Sequence, residues 1–294
     1  MAAARPMTGR VCVVTGATSG IGYVTALELA RAGASVAAVG RDATRLAEAV
    51  TRIGSAVGNA QVQGFTADLF LQSEVRRLAS EIGRAYPQVH VLVNNAGAVF
   101  SKRDQTSEGF ERTWALNVVT PFLLTHLLLP RLETSAPARV VNVSSAAHGG
   151  VTLNFENLQG ENRYSAFGAY SRSKLAVLLL SYEFARRLAD TRVTVNALHP
   201  GFVSTGFGKN NPGAFGGVIG FFSFLFGIRP QRGARTTIFL ASDPSVENVT
   251  GKYFIRCHEV ASSPASYDGA AGARLWDVLS LQTGIPTDVL ARPL

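Results

Sequence analysis

Short apolar runs alternate along the chain with longer segments in which apolar residues recur with a helical period. A short apolar run bounded by turn residues is typical of a strand that is buried on both faces. Such strands are predicted at Arg10–Thr15, Ala34–Gly40, Gln61–Thr66, His90–Val93, Arg139–Val143, Val193–Leu198 and Gly251–Ile255. Helices are predicted between them at Ile21–Ala32, Ala43–Ile53, Gln72–Arg84, Phe110–Leu129, Tyr170–Leu188 and Gln231–Ala241. This alternation predicts an α/β fold: a single doubly wound parallel sheet with helices on both faces, in one domain over residues 1–294.

A glycine-rich turn directly follows the first predicted strand and opens the first predicted helix. Glycines let the backbone approach a pyrophosphate closely, and the helix N-terminus supplies N–H groups and a positive dipole end. A tight turn without a ligand would use similar residues, but the order strand, glycine turn, helix favours a dinucleotide site. The candidate binding residues are Gly16, Thr18, Ser19, Gly20, Ile21 and Gly22.

Polar or small residues follow the next three predicted strands. In dinucleotide folds an acid after the second strand accepts from the adenine-ribose hydroxyl, whereas an arginine suits a 2′-phosphate. Arg41 occupies this place and favours NADP(H) over NAD, the alternative being an ordinary surface arginine, and Asp42 is better placed as a helix N-cap. Two further candidate cofactor segments are Asp68-Leu69, where a short acid would contact the adenine, and Asn95-Ala96-Gly97, which a plain turn would also explain.

Tyr170 and Lys174 are spaced to lie on one face of a helix, about one turn apart. A tyrosine has an ordinary pKa of about 10, and a neighbouring ammonium group favours the phenolate and lowers that pKa toward the working range of a general acid. The same spacing occurs by chance in many helices, so the pair is weak by itself. Asn117 is an amide among apolar residues of the predicted helix Phe110–Leu129, and it must be hydrogen-bonded, whether its role is structural or in a proton relay.

Composition and net charge indicate which kinds of partner and which cellular compartment are expected. The 294-residue chain is 47% hydrophobic and 16% charged, as expected for a globular protein. Its net charge of +8 is spread along the sequence, without a basic block, zinc-ligand spacing or basic helix, so a nucleic-acid partner is not expected. Two cysteines, Cys12 and Cys257, indicate a reducing compartment, and Cys12 is expected in the core. No apolar signal segment or run of about 18 apolar residues is seen, so a cytoplasmic protein is expected, with peripheral membrane contact left open.

These motifs resemble, in their order, those of the short-chain dehydrogenase/reductase family over nearly the whole chain. They are Thr15 to Gly22, Asp68-Leu69, Asn94 to Gly97, Asn117, Ser145, Tyr170 with Lys174, and Pro200-Gly201 with Val203 and Thr205. The resemblance implies a Rossmann-type fold. It also implies that Tyr170 exchanges a proton with the substrate oxygen, Lys174 holds the nicotinamide ribose, Ser145 binds the substrate oxygen and Asn117 positions a water. Ser145 is chosen over Ser144 because it ends the run Asn142–Ser145, and Pro200, Gly201, Val203 and Thr205 resemble the nicotinamide contacts.

The second half of the chain resembles the retinol dehydrogenase branch, whose members interconvert hydrophobic alcohols and carbonyls, usually with NADP(H). The resemblance rests on Phe155 to Leu158, Arg163-Tyr164, Gly251 to Phe254 and Arg274 to Trp276. The family places its substrate lid at about 202–230, and here residues 213–228 are uncharged and rich in phenylalanine. This segment suits a hydrophobic substrate, although packing on a second subunit or contact with a membrane would also explain it. Homo-oligomer formation is left open.

The sequence therefore predicts an NADP(H)-dependent oxidoreductase that interconverts a hydrophobic aldehyde, ketone or quinone and its alcohol, with no metal. A protein that binds NADP(H) as a sensor or scaffold without catalysis is the alternative, but such relatives usually lose the tyrosine, lysine or serine. Light-dependent reduction of a tetrapyrrole would need a cysteine donor near the site, and neither Cys12 nor Cys257 is suitably placed in the sequence.

Overall fold

The computed structural model describes residues 5–58, 61–201 and 229–287. All strands in these ranges belong to one sheet, with strand order β3-β2-β1-β4-β5-β6-β7-β8. The strands are β1 Val11–Thr15, β2 Ser35–Gly40, β3 Val62–Thr66, β4 Val91–Asn94, β5 Ala138–Val143, β6 Val193–His199, β7 Tyr253–Ile255 and β8 His258–Val260. Strands β1 to β7 pair in parallel, and the strand order reverses between β1 and β4. The doubly wound parallel sheet is therefore confirmed.

Helices cover both faces of the sheet. They are α1 Gly20–Arg31, α2 Ala43–Val57, α3 Gln72–Ala85, α4 Arg112–Thr134, α5 Ala166–Arg187, α6 Pro230–Ser242 and α7 Gly269–Thr283. Helices α1, α2 and α6 enclose one apolar core with the sheet, and α3, α4, α5 and α7 enclose the other. Adjacent strand residues face opposite layers: Val13 lies in the second core and Val14 in the first. Both layers are apolar, which explains why the strands have continuous apolar runs.

Three elements differ from the sequence predictions. Strand β8 pairs antiparallel with β7 and was not predicted, because its residues His258 to Val260 are largely exposed and have no apolar run. Helix α2 continues through Gly54 to Val57, beyond its predicted end at Ile53. The predicted helix Phe110–Leu129 begins at Arg112 and extends to Thr134, and it contains a π-helical segment at Ala115–Val119.

Two predictions about single residues are confirmed. Cys12 is fully buried in the core, and this burial raises the pKa of its thiol to about 12. Asp42 caps α2 as expected, since its carboxylate accepts a hydrogen bond of 2.9 Å from the Arg45 N–H.

One described helix, α4, is long and apolar enough to cross a membrane by length and composition alone. However, 78% of its most apolar window is buried within the protein, as in a core helix. The length and composition of α4 are therefore weak evidence for a membrane span.

Candidate active site

The glycine-rich turn between β1 and α1 is packed so closely that side chains would not fit. A Cβ at Gly22 would lie 2.3 Å from the Gly16 carbonyl oxygen, and one at Gly16 would lie 3.0 Å from Asn95 Nδ2. Gly16 and Gly20 have φ values of +70° and +58°, in the left-handed region that favours glycine. The Ser19 side chain makes no capping hydrogen bond to α1, so it leaves the first N–H groups of the helix to other acceptors. This turn fits the pyrophosphate of a dinucleotide.

The residues after β4 lie beside this turn and are held there by Thr15. The Thr15 hydroxyl accepts hydrogen bonds from the N–H groups of Asn95 at 2.9 Å and Ala96 at 3.0 Å, and it donates to the Val93 carbonyl at 3.2 Å. Asn95 Nδ2 donates to the Thr15 carbonyl at 2.8 Å. The structure therefore brings the two predicted cofactor segments together. The positioning role of Thr15 was not assigned from sequence, although its place at the end of β1 indicates contact with the next strand.

Arg41 lies directly after β2, and its side chain is exposed at the same edge of the sheet. Its guanidinium lies 5.6 Å from the centroid of the Phe70 ring, a cation–π contact that connects the ends of β2 and β3. Asp68 forms no ion pair with Arg41 among the described residues. Its carboxylate instead accepts a hydrogen bond from the Phe70 N–H at 3.2 Å. Leu69 is buried. In dinucleotide folds, the residue after the second strand contacts the adenine ribose, and Arg41 occupies that position here.

Tyr170, Lys174 and Ser145 converge where β5 ends beside α5. The Ser145 side chain lies close enough to the Tyr170 hydroxyl to lower the pKa of the tyrosine. Ser144 is buried, and its hydroxyl donates instead to the Lys174 carbonyl at 2.8 Å. Lys174 is also buried, and its Nζ donates to the Val143 carbonyl at 2.9 Å and lies 5.6 Å from the Tyr170 ring centroid. The structure thus places Ser145, not Ser144, beside the tyrosine.

The pKa values of the pair correct one expectation from the sequence. Burial raises the pKa of Tyr170 to about 12, and the nearby Ser145 side chain only partly opposes this rise. Burial also lowers the pKa of Lys174 to about 8, because the low-dielectric surroundings disfavour the ammonium form. Desolvation is the largest effect on both groups, so the net shift of the tyrosine pKa is upward and not, as expected from the sequence, downward.

Asn117 lies within the π-helical segment of α4 and is buried. Its Oδ1 accepts from the Ala98 N–H at 3.0 Å, and its Nδ2 donates to the Ala98 carbonyl at 3.0 Å and to Ser173 Oγ at 2.9 Å. Ser173 is the residue before Lys174, so Asn117 joins α4 to the tyrosine helix. A π-helical segment inside an α-helix frequently marks a functional site.

Gly97 lies between the side chains of Asn117 and Lys174, and its lack of a side chain leaves room for both. A Cβ added there would lie 3.3 Å from both Asn117 Oδ1 and Lys174 Nζ. A larger residue would therefore crowd both predicted catalytic groups. The structure brings Asn117, Gly97 and Lys174 into one cluster, as the sequence motifs predict.

Pro200 and Gly201 follow β6 at the same end of the sheet as the other segments, and Gly201 has a φ of +87°. Val203, Thr205, nearly all of the lid at 202–230 and its apolar part at 213–228 lie outside the described residues. Within residues 5–58, 61–201 and 229–287, no group of three or more histidine, cysteine, aspartate or glutamate side chains could hold a metal ion.

Comparison with known proteins agrees with this fold. The short chain dehydrogenase family model matches residues 10–213. Retinol dehydrogenase 14 of Mus musculus is 39% identical over 291 residues, covering 95% of this chain and 87% of that protein. An uncharacterised protein from Mycobacterium paratuberculosis has a crystal structure with a TM-score of 0.76 at 33% identity, covering 94% of each chain. The Pseudomonas aeruginosa RhlG/NADP active-site complex has a TM-score of 0.69 at 29% identity, covering 92% of this chain and 100% of that one.

A dinucleotide cradle and a serine–tyrosine–lysine cluster at the carboxyl ends of parallel strands define an NAD(P)-dependent oxidoreductase. The chain belongs to the short-chain dehydrogenase/reductase family and to its retinol dehydrogenase-like branch. It is accordingly an oxidoreductase that acts on an alcohol or carbonyl group.

Proposed function

We propose that this protein is an NADP(H)-dependent oxidoreductase that interconverts a hydrophobic carbonyl compound and its alcohol, with Tyr170 as the general acid and base. The observation that carries the proposal is the convergence of the Ser145 and Tyr170 side chains beside the buried Lys174. Two hydroxyl groups that face the same space can both bind one substrate oxygen. The bound dinucleotide would supply or accept the hydride.

The protein residues handle the oxygen and its proton. In reduction, the Tyr170 hydroxyl donates its proton to the carbonyl oxygen, and Ser145 donates a second hydrogen bond to the same atom. The negative charge that grows on this oxygen is stabilised by both donors. Lys174, buried one turn after Tyr170, stabilises the phenolate that remains and would hold the nicotinamide ribose of a bound dinucleotide. Asn117 holds the turn of α4 against Ser173 and so fixes the place where a relay water would bind.

The choice of NADP(H) is supported by Arg41. Its exposed guanidinium follows β2, where it would contact a 2′-phosphate through parallel hydrogen bonds. The RhlG structure that resembles this chain is a complex with NADP. The residues proposed to bind the cofactor are those of the glycine turn, Arg41, Asp68, Leu69, Asn95 to Gly97, Pro200 and Gly201, with Val203 and Thr205 from the sequence motif.

A hydrophobic substrate is supported by the name of the mouse relative, a retinol dehydrogenase, and by an exposed apolar side chain near the site. Phe167 lies one turn before Tyr170 on α5 and is 67% exposed. An exposed phenylalanine beside a polar catalytic group suits the apolar body of a substrate whose carbonyl reaches the tyrosine. Peripheral membrane contact, cytoplasmic localisation and homo-oligomer formation stay predictions.

The test follows NADPH absorbance with purified protein and a panel of apolar aldehydes, ketones and quinones, with NADH in parallel. We expect turnover with NADPH and little with NADH. Turnover with NADH alone would contradict the role of Arg41 but keep the mechanism. Tight NADPH binding without turnover across the panel would contradict the oxidoreductase assignment for these substrates and favour the sensor alternative.

The catalytic role of the tyrosine is tested by Tyr170→Phe, which removes only the hydroxyl. We expect kcat to fall by about 10²- to 10⁴-fold, the usual contribution of a positioned proton donor, while the Kd for NADPH changes less than about threefold. Tyr86→Phe, at the end of α3, serves as the matched control and keeps wild-type kcat. A Tyr170→Phe enzyme with wild-type kcat would exclude this mechanism.

A further inference from the structure

His148 lies close to the proposed catalytic serine and is absent from the mechanism above. It ends the short 3-10 helix Ala146–His148 that directly follows Ser145, and it is buried. Its Nδ1 lies 2.6 Å from the Ser145 carbonyl oxygen, and its Nε2 lies 3.1 Å from the Ser263 backbone nitrogen. Both ring nitrogens therefore have a partner.

These two partners determine which ring nitrogen carries the proton. The Ser263 N–H can only donate, so Nε2 of a neutral imidazole must accept. The proton is then on Nδ1, which donates to the Ser145 carbonyl. The opposite tautomer would place two hydrogens between Nε2 and Ser263 and leave two lone pairs facing each other at Ser145.

The segment that holds His148 is fastened to the tyrosine helix. Ser262 Oγ hydrogen-bonds the Tyr182 hydroxyl at 2.7 Å, and the Ser262 N–H donates to the Tyr267 hydroxyl at 3.0 Å. The Tyr182 and Tyr267 rings stack with centroids 5.2 Å apart and an interplanar angle of 5°. Since Tyr182 lies on α5, the position of Ser263 is set by the helix that carries Tyr170 and Lys174.

The remaining contacts fix the imidazole and the serine. The Tyr253 ring on β7 packs edge-on against His148, with centroids 5.2 Å apart. The Ser145 side chain accepts a hydrogen bond from the Ala147 N–H at 3.2 Å, and the side chain also meets Tyr170. The Ser145 carbonyl accepts from the His148 backbone N–H at 3.2 Å as well as from the imidazole Nδ1, and the imidazole contact is the one that continues to Ser263.

We propose that His148 is a positioning residue that connects Ser145 to α5 through Ser263 and thereby sets the separation of the Ser145 and Tyr170 hydroxyls. This inference rests on the proposed function, because it concerns the two hydroxyls that meet the substrate oxygen. A misplacement of about 1 Å in a catalytic group can cost roughly 10²-fold in rate. His148 acts on the reaction through Ser145 and does not contact the substrate.

The first test compares variants that keep different parts of the imidazole. Asparagine places an amide nitrogen near Nδ1, whereas glutamine reaches only toward the Nε2 position. Each of these two variants keeps only one end of the connection, so we expect His148→Asn and His148→Gln to lower kcat by about 10-fold and His148→Ala to lower it by about 10- to 100-fold. The KM for NADPH should stay within about twofold in all three, because the cofactor residues are untouched. Wild-type kcat in any of the three variants would overturn the proposal.

The second test changes the other end of the connection. Ser263 has a φ of −67°, which proline adopts, so Ser263→Pro replaces the N–H donor with a Cδ atom that displaces the imidazole and breaks this end of the connection. Its control, Ser263→Ala, keeps the N–H. We expect Ser263→Pro to lower kcat by about 10-fold and Ser263→Ala to leave it unchanged. Equal kcat values in the two variants would count against the connection.

A structural measurement, which does not depend on turnover, tests the role of His148 separately from the proposed function. Crystal structures of the wild-type protein, His148→Ala and Ser263→Ala report the distance between the Ser145 and Tyr170 hydroxyl oxygens directly. We expect this distance to change by about 1 Å in His148→Ala and to keep its wild-type value in Ser263→Ala. An unchanged distance in His148→Ala would overturn the role of His148, even if the wild-type protein reduced every carbonyl in the panel. A change in His148→Ala alone would support it, even if none were reduced.

Discussion

Neighbouring residues in this site have different functions because they point to different partners. Ser144 is buried and donates to the Lys174 carbonyl, which fastens β5 to α5. Ser145 is only partly buried and faces the Tyr170 hydroxyl. The extended backbone of β5 turns successive side chains to opposite sides, so one serine stabilises the fold and the next is available to a substrate.

At the residue scale, the proposed role of Arg41 is to select NADP(H) over NAD(H). We expect Arg41→Ala to raise the KM for NADPH by about 10- to 100-fold, because hydrogen bonds to a charged phosphate contribute about 1.5–3 kcal/mol. The KM for NADH should change little. Steady-state kinetics with both cofactors measure this, with Arg31→Ala at the far end of α1 as a control. A parallel rise in both KM values would mean that Arg41 does not recognise the 2′-phosphate.

At the scale of elements, the C-terminal helix α7 completes the core beneath the tyrosine helix. Trp276 on α7 is fully buried and packs edge-on against Phe122 on α4, with ring centroids 5.1 Å apart, and against Phe184 on α5 at 4.8 Å. The Arg187 guanidinium lies 4.2 Å from the same indole ring. Pairing of two subunits through α5 would therefore have to accommodate α7, which already covers part of that helix.

We expect Trp276→Ala to lower the free energy of unfolding by about 3–5 kcal/mol, since it removes a large buried ring from a packed aromatic cluster. Urea denaturation followed by circular dichroism measures the change. Leu281→Ala on the same helix is the control: Leu281 is 84% exposed, so its truncation should change stability by less than about 0.5 kcal/mol. Similar losses in both variants would show that α7 contributes through helix propensity and not through the indole.

At the scale of the whole molecule, buried histidines make stability depend on pH. Burial lowers the pKa of His126 to about 4, because the charged imidazolium is disfavoured among Phe122, Phe184 and Trp276. Burial also lowers the pKa of His199 to about 4. Below the ordinary histidine pKa of 6.5 the unfolded chain binds protons that the folded protein does not. Unfolding is therefore favoured as the pH falls from 6.5 toward 4.

From this shift, we expect His126 alone to remove about 2 kcal/mol of the unfolding free energy between pH 7 and pH 5. The variant His126→Phe should lack that part of the decrease, measured by urea denaturation at the two pH values. His258→Gln changes an exposed histidine and should keep the wild-type decrease. An unchanged pH dependence in His126→Phe would mean that His126 is protonated equally in the folded and unfolded states.

Much of the architecture was predictable because strands and helices have local signatures. The predicted first strand, Arg10–Thr15, is observed as Val11–Thr15, and the predicted helix Gln231–Ala241 is observed as Pro230–Ser242. Strand β8 has no such signature, since its residues are exposed and it is defined only by its pairing with β7. The π-helical segment around Asn117 could not be predicted from the sequence either, because its residues have the same apolar pattern as an ordinary buried helix.

The candidate site likewise has features that the sequence predicts and features that only the structure shows. Glycine turns, strand ends and the spacing of Tyr170 and Lys174 are local, so sequence alone places these residues at one edge of the sheet. The pKa of Tyr170 depends on burial by distant segments, and for this reason its direction was expected wrongly. The connection from Ser145 through His148 to Ser263 joins residues far apart in the chain, and only the folded arrangement reveals it.

By itself, the sequence determined the order of strands and helices, the glycine turn after the first strand and the helical spacing of the tyrosine and lysine, because periodicity and residue type are properties of short segments. The tertiary structure decided which serine meets the tyrosine, how strongly burial acts on Tyr170 and Lys174, and what holds Ser145 in place. Desolvation and long-range hydrogen bonds depend on every segment that packs around a group, and no short stretch of sequence contains that information.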